Sequence, residues 1–253
     1  MDLETALHVA SELAGAIWVT LALAAVTLPL GLILAGLATW ARRSRHRALR
    51  GVASAYVLAF RSIPLLVQIF VLYYGLSQFA WLRASPVWIV LKDPFACAVI
   101  AMSVCAGAYT AEVMRGGLAA VPQGAIEAAR ALGLSRFKTF LLVTMPIAIR
   151  RALPAYSNEI VVTLKSTSLA CTITVMELTG VAKDLMSQTF AVIEVFCMVA
   201  LIYLIINMVL IFLLRLVERL LTPPYQRKPM LAGARRVVSA AKWRSIGAAS
   251  QKG

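Results

Sequence analysis

Five long apolar runs, separated by blocks of arginine and lysine, constrain this chain more than any other feature. They fall at Ala14–Trp40, within Gly51–Phe79, and at Phe95–Met114, Pro154–Val175 and Phe190–Leu214. A bilayer core of about 30 Å is crossed by about 20 helical residues rising roughly 1.5 Å each. Each run is long enough, and in lipid only helices or closed barrels satisfy their own backbone groups. The chain is 61% hydrophobic over 253 residues, with mean hydropathy +0.83, whereas soluble domains are about half apolar. The expected fold class is an all-α membrane protein with about five transmembrane helices.

A net charge of +14 would by itself admit nucleic acid as a partner. The placement of the charges points elsewhere. Most of the 25 Lys and Arg residues fall in three blocks between or after the apolar runs, and no basic stretch interleaved with aromatics offers a base-stacking surface. The expected partner is the lipid bilayer, with no nucleic acid. Arg42, Arg43, Arg45, Arg47 and Arg50 have no acid among them. The positive-inside rule puts their loop in the cytoplasm, the N-terminus outside and the C-terminus inside. Residues 1–13 read as a short polar start on the outer, periplasmic side. Asp2, Glu4 and Glu12 without a Lys or Arg are the reverse of a signal-peptide n-region, so the first run is expected to act as an uncleaved anchor. Residues 220–253 read as a basic cytoplasmic tail, too small-residue-rich and polar to pack. Cys97, Cys105, Cys171 and Cys197 are scattered in apolar runs, and His8 and His46 lie far from them. No metal or cofactor site is expected.

Polar residues inside apolar runs mark the candidate path. Arg61-Ser62-Ile63-Pro64 interrupts the second run, and Gln68 follows one turn later. The fourth run carries Ser157, Asn158, Glu159, Thr163, Lys165, Ser166, Thr167 and Ser168. A lone charge at mid-helix costs about 2.5–3.5 kcal/mol on insertion scales, so these groups must face protein or water. Glu159, Thr163 and Ser166 share one helical face by three- and four-residue spacing. The substrate-path candidates are Gln68, Ser157, Asn158, Glu159, Thr163 and Ser166. A purely structural alternative pairs Glu159 with Arg61 or Lys165 inside the bundle; for Arg61 itself the preferred reading is a proline kink with the side chain reaching the cytoplasmic headgroups. Glu112 and Arg115, three apart, are expected to form a local ion pair. A short helix is expected over Glu177–Gln188, on or near the outer side.

Between the third and fourth runs lies VPQGAIEAARALGLSRFKTFLLVTMP, Val121–Pro146. Pro122 suits a first helical position, Gly133 can end the helix in a left-handed turn, and Ser135 can cap a second. The reading is two short helices joined by a tight bend and held against the face of a membrane protein. Glu127 supplies a fixed anion among cations.

This segment resembles the signature of membrane subunits of bacterial ABC importers. That signature runs Glu-Ala-Ala, three residues, Gly, nine residues, then Ile-x-Leu-Pro. Here it reads Glu127-Ala128-Ala129, Gly133 and Val143-Thr144-Met145-Pro146, with Val143 and Met145 as conservative departures. The resemblance extends from roughly Trp18 to Arg219. RSIPLLVQIFVLYYG (61–75), AYTAEVMRGG (108–117) and LPAYSNEIVVTLKSTSLA (153–170) are similar to the polar amino acid branch, the histidine/lysine/arginine/ornithine and opine permeases.

The resemblance implies a type I ABC importer permease over residues 14–219, with a cytoplasmic coupling-helix hairpin within 121–146. Its coupling residues would be Glu127, Ala128, Ala129, Gly133 and Pro146. The implied setting is the bacterial inner membrane. The implied partners are a second permease subunit (paralogue or identical copy), two ABC ATPase subunits holding ATP and magnesium, and a periplasmic solute-binding protein. The chain carries no phosphate loop of its own, because Phe137 precedes Lys138-Thr139 where such a loop needs Gly. Two other classes stay open from sequence: an ion-coupled secondary transporter subunit and a non-transporting scaffold.

Overall fold

The computed structural model describes residues 2–221, and the expected tail lies outside them from residue 222 onward. The described residues are helical nearly throughout: α1 Leu3–Arg42, α2 Arg47–Ser62, α3 Leu65–Phe70, α4 Ala80–Arg83, α5 Trp88–Leu91, α6 Pro94–Ala119, α7 Gln123–Ala131, α8 Arg136–Thr139, α9 Met145–Ser166, α10 Leu178–Thr189 and α11 Val192–Leu221. Three of these are long and apolar enough to cross a membrane, and five spans result if each of two bent helix pairs counts as one. The chain divides into two units, Met1–Leu214 and Arg215–Gly253, and the packing below belongs to the first.

The centre of the bundle is α6. Asp93 caps it by accepting from the Ala96 N–H at 2.9 Å, and Pro94 takes the first turn, where its missing N–H costs nothing. Its buried face is mostly Ala, Gly, Ser and Cys, so neighbouring backbones come close, the packing mode favoured between membrane helices. A Cβ on Gly107 would sit 2.9 Å from the Leu34 Cβ and 2.8 Å from the Tyr56 hydroxyl. That hydroxyl donates to the Val104 carbonyl at 2.7 Å, locking α2 to α6. One on Gly117 would lie 2.7 Å from the Ala148 carbonyl oxygen of α9.

Several sequence-based boundaries move. The first helix starts earlier than the expected span start at Ala14: α1 begins at Leu3, and Val9 and Leu13 are buried with Leu178, Leu185 and Val195. Pro154 does not open the fourth span but lies inside α9. The helical path begins at Arg136, passes through a π turn at Phe140–Thr144 and ends in a 3-10 segment, Thr167–Ile173. The π turn precedes Pro146, whose missing N–H breaks the regular ladder. Pro122 is the residue just before α7 rather than its first helical position.

At 61–64 the second span is more than kinked: α2 and the helix beyond Pro64 meet at 107°. The expected short helix is α10, capped by Glu177.

Candidate functional site

The α2–α3 break, α6 and α9 enclose a cavity of about 540 Å³. Pro64 forces the break, since it has no N–H to give and restricts the residue before it to extended conformation; Ile63 is extended, with ψ 129°. Gln68 then repairs the cut ends, its amide donating to the Phe60 carbonyl at 3.0 Å and the Ile63 carbonyl at 2.8 Å. The corner backbone is thereby held open beside α6.

Arg61, Tyr109, Glu159, Thr163 and Ser166 line this cavity. The Arg61 guanidinium lies over the Tyr109 ring, 5.3 Å from its centroid, and the Tyr109 hydroxyl donates to the Arg61 carbonyl at 3.2 Å. Arg61 thus rests on α6 at the cavity wall while staying exposed. Glu159 lines the same space, but among the described residues it forms no ion pair with Arg61 or Lys165. A cavity lined by a carboxylate, a guanidinium and hydroxyl-bearing side chains can hold the charged ends of a zwitterion.

Of the sequence candidates, the cavity wall includes Glu159, Thr163 and Ser166. Gln68, Ser157 and Asn158 are not on it: Gln68 is buried as the backbone brace, Ser157 is buried and Asn158 is exposed. The Ser166 hydroxyl donates back to the Val162 carbonyl at 2.9 Å. Tyr109 was not anticipated. Its only sequence signal is its place four residues beyond Cys105, which puts both on one face of α6.

The second feature is the hairpin. After α7 the Leu134 N–H donates to the Ala129 carbonyl at 3.1 Å and the Gly133 N–H to the Arg130 carbonyl at 2.9 Å. This is the paired bonding of a Schellman stop, and it requires the left-handed Gly133, φ +79°. Ser135 caps α8, accepting from the Lys138 N–H at 3.4 Å. The bend presents Leu132 and Phe137 at 83% and 73% exposure. Large apolar groups held out on a rigid turn mark a contact surface. Ala129 is buried, while Glu127, Ala128 and Gly133 lie on the open side.

Glu112 takes no place in the cavity. It binds Arg42 at the end of α1 and accepts from Arg115 Nε at 2.8 Å, so the expected local pair is also a tie between two spans. A buried carboxylate at Glu177 is likewise structural: Thr179 N–H, Gly180 N–H and the Tyr203 hydroxyl donate to it at 2.9, 2.9 and 3.0 Å.

Membrane-length helices, a largely apolar cavity carrying a few charged and hydroxyl groups at a broken span, and an exposed apolar hairpin are the features expected of a translocation subunit. Comparison with known proteins agrees. The profile of binding-protein-dependent transport system inner membrane components matches residues 13–223. The octopine transport system permease protein OccM of Rhizobium radiobacter is 48% identical over 219 residues, covering 82% of this chain and 89% of that protein. The arginine ABC transporter permease protein ArtM of Haemophilus influenzae is 36% identical, covering 79% and 88%. Among solved structures, an amino acid ABC transporter crystallised with histidines superposes with TM-score 0.78 at 30% identity, covering 87% of this chain and 98% of that one.

The chain belongs to the family of binding-protein-dependent transport system inner membrane components. It is a multi-pass permease subunit of an ABC importer, without an ATPase of its own, and its class works with ATPase subunits, a solute-binding protein and a second permease. The secondary-transporter and scaffold readings end here.

Proposed function

We propose that this subunit moves basic amino acids or opines inward across the membrane, with the 540 Å³ cavity as its part of the path. The observation that carries the reading is that Glu159 and Arg61 line the same cavity, together with Thr163 and Ser166, beside the 107° corner. A guanidinium or amine substrate would meet the Glu159 carboxylate, and its own carboxylate would meet Arg61. The similarity to permeases named for octopine, nopaline and arginine supports the same substrate chemistry.

Drive comes through the hairpin. Two ATPase subunits closing on ATP would push α7–α8 as a rigid lever and, through the continuous helix from Arg136, swing α9 against α6. Glu127, Ala128, Ala129, Gly133 and Pro146 are the coupling residues of this reading. The basic blocks at 42–50 and 115–151 support a cytoplasmic position for the hairpin, with the N-terminus outside. The subunit would occupy residues 14–219, with 220–253 as a basic appendage, and pair with a paralogue or a copy of itself.

The test is Gly133→Val. A β-branched residue at φ +79° is strained by about 1–2 kcal/mol, and nothing lies within 4 Å to clash with it, so the bundle should still assemble. Substrate-stimulated ATP turnover and uptake in vesicles should both fall. Wild-type coupling in an assembled Gly133→Val transporter would end the lever reading.

A further inference from the structure

A second cavity, about 360 Å³, lies between the end of α1, the start of α2 and the end of α6. Its lining includes Arg42, Arg43, Arg50 and Arg115, with Thr39 and Ser54 between them. Glu112 offsets part of this charge by binding Arg42 and Arg115. Among the described residues no carboxylate pairs with Arg43 or Arg50, both exposed; Arg50 reaches only the Ser44 carbonyl, at 3.4 Å. Four guanidinium groups against one carboxylate leave the cleft strongly cationic.

The depth of the cleft indicates what fills it. It sits where the long apolar α1 ends, and its lining residues there, Thr39, Arg42 and Arg43, are within three residues of Trp40, which is 68% exposed. Exposed tryptophan at the end of a span marks the headgroup layer, and basic pockets between transmembrane helices at that level suit lipid phosphates. Arginine forks bind phosphate oxygens in pairs. We propose that this cleft is a binding site for an anionic phospholipid, its headgroup phosphate held by Arg43 and Arg50 and completed by Arg42 and Arg115. A lipid seated there bridges α1, α2 and α6 beside the Arg42–Glu112 tie. The inference requires membrane residence alone and stands apart from the substrate and lever readings.

The test uses the purified transporter complex with its ATPase, titrated with cardiolipin, with phosphatidylcholine and with inorganic phosphate, bound species being counted by native mass spectrometry. Cardiolipin should be retained, phosphatidylcholine should not, and excess inorganic phosphate should fail to displace it. Arg43→Gln with Arg50→Gln should weaken cardiolipin retention about tenfold or more. Arg150→Gln with Arg151→Gln, which removes equal charge outside the cleft, should change it little. Arg43→Lys with Arg50→Lys keeps the charge but loses the fork, and should also weaken retention; it serves if the glutamine pair fails to assemble. Equal losses from the two glutamine pairs, or no loss in the lysine pair, would show diffuse attraction and overturn the site. Displacement by inorganic phosphate would make the ligand a soluble anion. No cardiolipin retained by the wild-type complex would overturn the proposal.

Discussion

Glu177 is fully buried at a point where the chain turns from the 3-10 segment into α10, and its carboxylate accepts from two backbone N–H groups and one hydroxyl. Glu177→Gln keeps the volume but sets an amide N–H against those donors. It should lower stability by about 1–3 kcal/mol, read as an earlier thermal transition of the purified complex; an unchanged transition would show that the cap contributes nothing. Glu159 differs, since among the described residues no hydrogen bond or ion pair holds its carboxylate. Glu159→Gln should therefore melt like the parent while losing about tenfold or more in apparent affinity for basic substrates, a desolvated charge-assisted bond being worth about 1.5–3 kcal/mol. Unchanged affinity in an assembled variant would remove Glu159 from the site. The placement of Glu159, Thr163 and Ser166 on one face follows from helical spacing and was legible in the sequence. The stacking of Arg61 on Tyr109 was not, because that ring comes from another helix.

At the level of elements, the hairpin was readable because its determinants are local: a left-handed glycine ending α7 and, two residues on, a serine cap starting α8. The limits of the spans were less so. Pro154 reads as a start by propensity, yet packing of α9 against α6 carries the helix through it. The small-residue seam between those helices sets its own prediction. Gly117 faces the Ala148 carbonyl and the Ala152 Cβ, each 2.7 Å from where a Cβ would stand. Backbone cannot retreat as a flexible side chain can, so Gly117→Leu should prevent stable assembly, seen as loss of the monodisperse complex on size exclusion. Gly116, one residue away, has nothing within 4 Å of such a Cβ, and Gly116→Ala should purify normally.

Across the whole molecule, burial is concentrated on α6 and thins toward α11, where Ile193 and Phe212 are 76% and 66% exposed. Apolar surface of this extent requires lipid or a neighbouring subunit, which fits a chain that is one component of a larger transporter. Its membership in that class was legible from four sequence stretches. The angle at Pro64 was not, because a proline interruption alone does not distinguish a mild kink from a 107° corner.

That corner has a consequence for the working cycle of the importer. Gln68 bridges the severed carbonyls from within the chain, so the elbow carries its own brace. An elbow braced in this way can flex as a unit without shedding main-chain bonds. Deuterium uptake at the Ile63 and Gln68 amides should accordingly be as slow in the unloaded transporter as in the loaded one, and Gln68→Leu should quicken it in both.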